Sequence, residues 1–228
     1  MPKQKPIKSY SHVTGMIADP RSRRGNFAQA AVEIDFQTVI AYDPRVKAYK
    51  RPPIALSYVD ANGKDQRYTP DLEVTYSGLV LPGQWSEIII YEVKEWLDLK
   101  KYWFSKYRRI FEQARVKLRA KGIEFRVVTD RRIRTLYLAN VRKLSAAADF
   151  DIPSSQMEYI IKLVDARPSV TFEDLITAVG GDTRATKRAI WNLLYNRQLI
   201  VNLHKPIEYD TCLYPKNYSV SIMQYPNW

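Results

Sequence analysis

Cysteine, histidine and long apolar runs are scarce in this chain of 228 residues. The one cysteine, Cys212, excludes an internal disulfide and a thiolate metal cluster, and His12 and His204 are too far apart in sequence to indicate a zinc site. The longest aliphatic run, Ile88–Ile90, is far shorter than the roughly 20 apolar residues of a membrane-spanning helix. No apolar stretch near the N-terminus resembles a signal sequence, so we expect a soluble, intracellular protein. A hard metal bound by carboxylates remains compatible with this composition.

Positive charge is plentiful and unevenly distributed. The chain has 36 Lys and Arg residues against 24 Asp and Glu residues, a formal net charge of +12. Residues 150–228 contain eight basic and eight acidic residues, so the entire excess lies in residues 1–149. A basic segment of this kind is typical of nucleic-acid binding, although a solvated basic surface that aids solubility has the same composition. The first part of the chain is therefore the candidate for a polyanionic partner.

Composition and periodicity divide the chain into three parts. Residues 1–24 carry six basic residues and one acidic residue without sustained periodicity, which predicts a basic N-terminal arm. Residues 25–149 alternate between helical and β-rich patterns, which predicts an α/β domain with a mixed sheet flanked by helices. The Asn-Gly dipeptide at residues 62–63, between β-rich runs, predicts a hairpin in this domain. Its first helix is expected to begin at Asn26, a candidate N-cap. Residues 150–228 form the third part.

This C-terminal part predicts three helices followed by two short strands, the order of a winged-helix domain. The third helix, from about Thr183 to Arg197, is compatible both with nucleic-acid recognition and with a plain amphipathic core helix. The aromatic-rich tail at residues 214–228 is either a docking peptide or a terminal strand that closes the domain. Because the segment is electrically neutral, we expect it to bind a protein partner and to have little affinity for DNA.

An acidic residue two positions before a lysine occurs at Glu92–Lys94 and again at Asp98–Lys100. With 24 acidic residues and 17 lysines among 228 residues, roughly two such triplets are expected by chance. Asp98 precedes a predicted long helix, where a negative charge is explained by capping and by the helix dipole. Glu92 and Lys94 instead follow three isoleucines in a strand predicted to be buried on both faces, and they share one face at its end. The context therefore singles out Glu92 and Lys94.

Asp71 is the candidate acidic partner of Glu92 and Lys94. It is the only aspartate preceded by proline, and it opens a predicted strand that could pair with the strand of Glu92. Two close carboxylates repel unless a divalent cation neutralises them, and oxygen ligands suit Mg²⁺ or Mn²⁺. Lys94 could then orient or deprotonate an attacking water and stabilise charge on a phosphate. Glu33, on the first helix, is a candidate for a second metal or for the water.

A structural ion pair between Glu92 and Lys94, with no more than a turn at Pro70–Asp71, would explain the same residues. The segment after the strand favours the catalytic interpretation, because the predicted helix at residues 99–121 has nine basic residues and one acidic residue from Lys100 to Lys121. The combination predicts a metal-dependent nuclease with Asp71, Glu92 and Glu33 as metal ligands.

Three segments in this order resemble successive blocks of the TnsA family, the endonuclease subunit of heteromeric cut-and-paste transposases: residues 25–53, YTPDLEV at residues 68–74 and IIIYEVKEW at residues 88–96. The resemblance covers about residues 20–148 and implies a restriction-endonuclease-like fold. It places Glu33 at the position of the family's acidic helix residue, Asp71 at the position of its metal-binding aspartate and Lys94 at the position of its lysine. Glu92 occupies a position that is glutamine in the best-known member.

The resemblance also implies partners. A TnsA-like subunit cleaves the 5′ ends of the transposon, the non-transferred strands, while a DDE-type partner, TnsB, cuts and joins the 3′ ends. An ATP-dependent regulator, TnsC, recruits them to target DNA and is contacted by the C-terminal winged-helix domain. A bacterial cytoplasmic location on DNA is expected. A stand-alone restriction or repair nuclease of the same fold and a noncatalytic DNA-binding assembly factor remain alternatives.

Overall fold

The computed structural model describes residues 15–17, 26–28, 30–52, 55–218 and 225–228. The chain forms two compact units: one runs up to Ile133 and includes Asn227–Trp228, and the other spans Arg134–Pro226. Most of the basic arm predicted at residues 1–24 lies outside the described residues. In the part of the chain that is described, each helix is too short or too polar to span a membrane.

The first unit contains the elements of the predicted α/β domain. Its strands are β1 (Gly15–Ile17), β2 (Asn26–Ala28), β3 (Val46–Lys50), β4 (Leu56–Val59), β5 (Asp65–Tyr68), β6 (Leu72–Tyr76), β7 (Ile88–Lys94) and β8 (Glu124–Thr129). Its helices are α1 (Ala31–Tyr42), α2 (Trp96–Tyr102), α3 (Arg108–Arg119) and α4 (Asp130–Ile133). A π-helical segment, Trp103–Tyr107, joins α2 to α3.

A four-stranded mixed sheet in the order β3-β6-β7-β8 forms the centre of this unit. Strand β6 pairs antiparallel with β3 and β7, and β7 pairs parallel with β8. A parallel pair needs a long crossover connection, which α2, the π-helical segment and α3 supply between β7 and β8. This mixed sheet flanked by helices fits the restriction-endonuclease-like fold expected from the sequence.

Strand β7 has a neighbour on each side and a helix on each face. Residues Ile89–Val93 are all buried, as expected for a continuous apolar strand in the middle of a sheet. On one face, the ring of Phe36 in α1 contacts the ring of Tyr91, with the centroids 5.0 Å apart. On the other face, Ile90 belongs to the same core cluster as Phe111 of α3. The two faces of β7 therefore meet different helices.

Strands β4 and β5 form a separate antiparallel hairpin that covers α3, which confirms the hairpin predicted around the Asn-Gly turn. Gly63 in this turn has a φ of +76°, a conformation that glycine adopts at low cost. Gln113 of α3 exchanges two hydrogen bonds of 3.0 Å with the main chain of Val59. This packing brings Tyr68, the last residue of β5, to Glu92 near the end of β7.

The second unit is mostly helical. Its helices are α5 (Leu136–Ser145), α6 (Ser154–Asp165), α7 (Phe172–Val179) and α8 (Thr183–Tyr195), and its strands are β9 (Val170–Thr171), β10 (Leu199–Ile200) and β11 (Cys212–Pro215). The strands form an antiparallel sheet in the order β10-β11-β9. Helix α8 buries Ile190, Leu193 and Leu194, so it packs as an amphipathic core helix.

The unit boundary differs from the one predicted between residues 149 and 150. Helix α5 was expected in the α/β domain, but it lies in the second unit. Its Asn140 side chain donates hydrogen bonds of 2.9 and 2.8 Å to the main-chain oxygens of Leu203 and Lys205. These long-range bonds attach α5 to the loop after β10, a connection that the local pattern of α5 does not reveal.

The predicted start of the first helix is wrong. Helix α1 begins at Ala31, and Asn26 is not its N-cap, because Asn26–Ala28 pairs with β1 as strand β2. A short segment of mixed polarity can either extend a helix or form a strand. Here Asn26–Ala28 forms a strand, because it pairs with a segment about ten residues earlier in the chain.

The aromatic-rich tail at residues 214–228 was expected to be a docking peptide or a terminal strand that closes the C-terminal domain, and the structure describes only parts of it. Residues 219–224 lie outside the described part of the chain. Trp228 is buried, and its ring contacts the ring of Phe36 with the centroids 5.5 Å apart. Arg126 of β8 donates a hydrogen bond to the main-chain oxygen of Trp228. Trp228 therefore contributes to the core of the first unit and is not available for docking.

Candidate functional site

Strand pairing positions Asp71 at the end of β7. The main-chain N–H of Asp71 donates to the carbonyl oxygen of Tyr91 at 3.1 Å, which continues the pairing of β6 with β7. The carboxylate of Asp71 accepts a hydrogen bond of 2.7 Å from the main-chain N–H of Val93. The side chain of Asp71 is therefore held by the main chain of the neighbouring strand.

Three oxygen atoms surround the ammonium group of Lys94. Its Nζ lies 2.6 Å from Oε1 of Glu92, 3.5 Å from Oδ2 of Asp71 and 3.1 Å from the carbonyl oxygen of Val93. Glu92 and Lys94 reach the same point because side chains alternate along a strand, so residues two apart share a face. The ion pair between Glu92 and Lys94 is thus present, but Asp71 takes part in it and is more than a turn residue.

Glu92 is the most deeply buried of these three charged residues, with 3% of its surface exposed. Its other oxygen, Oε2, accepts a hydrogen bond from the hydroxyl of Tyr68. Burial and repulsion from Asp71 raise the pKa of the Glu92 carboxyl to about 8, against the opposing effects of Lys94 and Tyr68. The ionised form of Glu92 is therefore disfavoured in this arrangement.

Lys94 and Tyr68 both keep their protons at neutral pH. Burial by itself lowers the pKa of Lys94, but the charges of Asp71 and Glu92 outweigh it and the net pKa is raised. Burial and the negative charge of Glu92 raise the pKa of Tyr68. Lys94 is thus a cation between the two carboxyl groups, and Tyr68 is a hydrogen-bond donor.

The oxygen atoms around Lys94 fit a hard divalent cation. Asp71 and Glu92 supply carboxylate oxygens and Val93 supplies a carbonyl oxygen, all grouped about one positive charge. Mg²⁺ in proteins is usually held by one or two carboxylates together with water. A cation beside the two carboxylates would also relieve the repulsion that contributes to the raised pKa of Glu92. This donor set suits Mg²⁺ or Mn²⁺ and contains no soft ligand.

Glu33 does not join this cluster. Among the residues that the structure describes, no three His, Cys, Asp or Glu side chains lie close enough together to hold one metal ion. Glu33 lies in the first turn of α1, and α1 packs through Phe36 against Tyr91, on the face of β7 opposite Glu92. The expected grouping of Glu33 with Asp71 and Glu92 is therefore not formed, and its role with a second metal or the water stays a prediction.

Sequence reasoning missed Tyr68 as a site residue. Tyr68 pairs with Leu56 in the hairpin and lies outside the central sheet, so strand alternation does not point it towards Glu92. The packing of the hairpin on α3 brings its hydroxyl to the carboxylate. The available signal was weak: Tyr68 is the one aromatic residue in the otherwise polar strand β5.

Comparison with known proteins finds one family that is similar to part of the chain. Residues 43–130 match the family described as TnsA-like endonuclease N terminal. The matched segment contains Tyr68, Asp71, Glu92 and Lys94, and it ends at the start of α4 within the first unit. No curated protein matches the chain. Over residues 43–130, the chain is therefore similar to TnsA-like endonucleases, and this similarity supports a nuclease of the transposase type.

Proposed function

We propose that this protein is the Mg²⁺-dependent DNA endonuclease subunit of a heteromeric transposase, and that it cleaves the 5′, non-transferred strands at transposon ends. The observation that carries the proposal is the position of the Lys94 ammonium between the carboxylates of Asp71 and Glu92. The match to TnsA-like endonucleases includes all three residues and supports it.

A purely structural ion pair explains this cluster poorly. Removing charges from water costs several kcal/mol per ion by typical estimates, roughly as much as a buried pair regains. The pKa of Glu92, raised to about 8, indicates that its charge is disfavoured even with Lys94 beside it. Charged groups held in unfavourable surroundings at the end of a strand are typical of catalytic sites. A catalytic role therefore explains the cluster better than a contribution to the stability of the fold does.

Each residue has a distinct role in the proposed hydrolysis. Asp71 and Glu92 would hold the divalent cation, which lowers the pKa of a bound water and polarises the phosphate. The Lys94 ammonium orients the attacking water and balances the negative charge that develops on the phosphate. Tyr68 fixes Oε2 of Glu92 and so leaves Oε1 directed at Lys94.

A strand-specific cleavage assay tests the proposal. The purified protein is combined with its DDE transposase partner, Mg²⁺ and a duplex that carries one transposon end, with each strand labelled separately. We expect cuts in the 5′ strand, and we expect Asp71→Asn and Lys94→Ala to reduce them by on the order of 100-fold or more. Lys100→Ala, in the exposed second acid-x-lysine triplet, is the matched control and should cut like the wild type.

Three results would redirect the proposal. Normal cutting by Lys94→Ala would show that the assigned site is wrong. Cutting by the protein alone, without its partner, would favour a stand-alone nuclease. Calorimetric titration with Mn²⁺ addresses the noncatalytic alternative, because a binding signal that is absent, or unchanged by Asp71→Asn, would favour a DNA-binding assembly factor.

We also propose that the second unit is a winged-helix domain that binds an ATPase regulator of the TnsC type. From α6 onward its order is helix, strand, two helices and two strands, which supports this topology. In residues 150–228 eight basic residues balance eight acidic residues, so little counterion release is expected on contact with DNA. A protein partner fits this neutral unit better than a phosphate backbone.

Contacts of α8 support a limited role in DNA binding. The ammonium of Lys187 lies 4.8 Å from the ring centroid of Tyr209, and the guanidinium of Arg188 lies 5.5 Å from that of Phe150. In the full-length protein, Lys187→Gln with Arg188→Gln should therefore leave the DNA affinity and its salt dependence unchanged. A decrease of about 0.9 in the log–log salt slope for each cation removed would show that α8 contacts phosphates.

A further inference from the structure

A cleft of about 400 Å³ lies beside the proposed catalytic residues, between β8 and the crossover helices. Its lining includes Val127 and Thr129 of β8, which are the register partners of Glu92 and Lys94. Register partners in a parallel pair point to the same face, and neighbouring strands are about 4.8 Å apart. The cleft therefore opens on the face that carries Glu92 and Lys94, about one strand spacing away from them.

The chemistry of this cleft is unusual for a structural cavity. Arg115, Arg131 and Arg132 are exposed at its edge, and two indole rings, those of Trp96 and Trp103, form part of its wall. None of the described residues that line it is acidic. Three cations without a carboxylate select an anion, and the indoles add flat apolar surfaces.

The indole rings are held in place by the fold. The main-chain N–H of Trp96 donates a 2.6 Å hydrogen bond to the carboxylate of Asp130, the first residue of α4, and the guanidinium of Arg131 lies 4.8 Å from the Trp96 ring centroid. The ring of Trp103 contacts that of Phe111, with the centroids 6.2 Å apart. A preorganised aromatic wall loses little conformational entropy when a flat ligand stacks on it.

We propose that this cleft binds one unpaired nucleotide of the cleaved DNA strand, with its base against the indoles and its phosphate against the arginines. This inference rests on the proposed function, since it assumes that a DNA strand crosses Lys94. A volume of about 400 Å³ is larger than a phosphate alone requires and falls in the range of about 300–1,000 Å³ of small-ligand sites. A base can stack inside such a cleft only after it has left the duplex stack.

Fluorescent oligonucleotides test this inference with the full-length protein in the absence of divalent cations, so that binding is separated from cleavage. The probes are a blunt duplex and the same duplex with a short single-stranded tail that carries 2-aminopurine. We expect tighter binding of the tailed probe and quenching of 2-aminopurine by the indoles. Arg131→Gln with Arg132→Gln should weaken binding of the tailed probe by about 10-fold or more, because a hydrogen bond to a charged group such as the phosphate is typically worth about 1.5–3 kcal/mol.

The matched control removes two other exposed arginines, Arg108→Gln with Arg119→Gln on α3, outside the cleft lining. It lowers the net charge by the same amount and should reduce binding of both probes equally. Equal affinities of the cleft variant and the control for the tailed probe would overturn the inference. So would a cleft variant that binds both probes normally but no longer binds the transposase partner, because the cleft would then receive an acidic peptide.

The outcome also separates this inference from the proposed function. Lys94→Ala should retain the preference for the tailed probe while it loses cleavage. A wild-type protein that prefers the tailed probe but cuts no DNA with its partner would refute the nuclease and leave the cleft assignment intact. A wild-type protein that cuts, with a cleft variant that binds and cuts like the control, would refute the cleft assignment alone.

Discussion

Replacing Tyr68 by phenylalanine removes the hydroxyl that donates to Oε2 of Glu92 and preserves the ring that packs near Phe111, with centroids 6.2 Å apart. Glu92 is 3% exposed, so water cannot easily replace the lost donor. A hydrogen bond to a charged group typically contributes about 1.5–3 kcal/mol, and one between neutral groups about 0.5–1.5 kcal/mol. The loss of stability should therefore depend on whether Glu92 is ionised.

The direction of this pH dependence follows from the raised pKa of Glu92, about 8. A carboxyl with a higher pKa in the folded than in the unfolded state favours folding below its unfolded pKa, and this contribution is lost as the pH rises through the folded pKa. The Tyr68 hydroxyl opposes the rise, so Tyr68→Phe raises the pKa of Glu92 further. We expect the variant to lose about 1 kcal/mol near pH 6 and about 2–3 kcal/mol near pH 9.

Urea unfolding without divalent cations, followed at both pH values, measures this difference. Tyr58→Phe is the matched control, because it removes a hydroxyl from the partner strand of the same hairpin, where Tyr58 packs against the same core. Its effect on stability should be independent of pH. A Tyr68→Phe variant with the same loss at pH 6 and pH 9, or with no loss at pH 9, would refute the idea that Tyr68 stabilises the Glu92 carboxylate.

Three further predictions concern the same unit. Lys94→Ala leaves Asp71 and Glu92 without their ammonium, so Mg²⁺ should raise the thermal midpoint more in the variant than in the wild type; equal shifts would contradict competition between Lys94 and the cation. Glu92→Gln removes a carboxyl with a pKa of about 8, so between pH 5 and 9 the stability of the variant relative to the wild type should rise by about 4 kcal/mol, and parallel stability profiles would count against the raised pKa. Trp228→Ala should lower the urea midpoint of the first unit by an amount equivalent to about 3 kcal/mol, since a buried ring is lost from its contact with Phe36, and an unchanged midpoint would exclude Trp228 from that core.

Local patterns in the sequence were sufficient for the centre of the fold. The run Ile88–Tyr91 predicted a buried strand, and β7 is buried on both faces. The Asn-Gly turn predicted the hairpin of β4 and β5. Residue type and alternation along one strand also placed Glu92 and Lys94 on a common face. These inferences depend on neighbours a few residues away, which the sequence contains directly.

The failures involve contacts between distant segments. Helix α1 starts later than predicted because Asn26–Ala28 pairs with β1, and α5 belongs to the second unit because Asn140 bonds to the loop after β10. Glu33 was grouped with the other acidic residues, but its helix packs on the opposite face of β7. The type of a residue does not determine which face of a sheet its helix packs against.

The amino-acid sequence by itself determined the kinds of chemical group at the proposed site, a proline-linked aspartate, a glutamate and a lysine at the end of an apolar strand, together with the basic character of residues 1–149. Only the tertiary structure decided that Tyr68 holds Glu92, that Glu33 stays apart, and that an arginine and tryptophan cleft adjoins Lys94. The physical reason is that burial, hydrogen-bond partners and pKa shifts arise where segments far apart in sequence exclude water from one another.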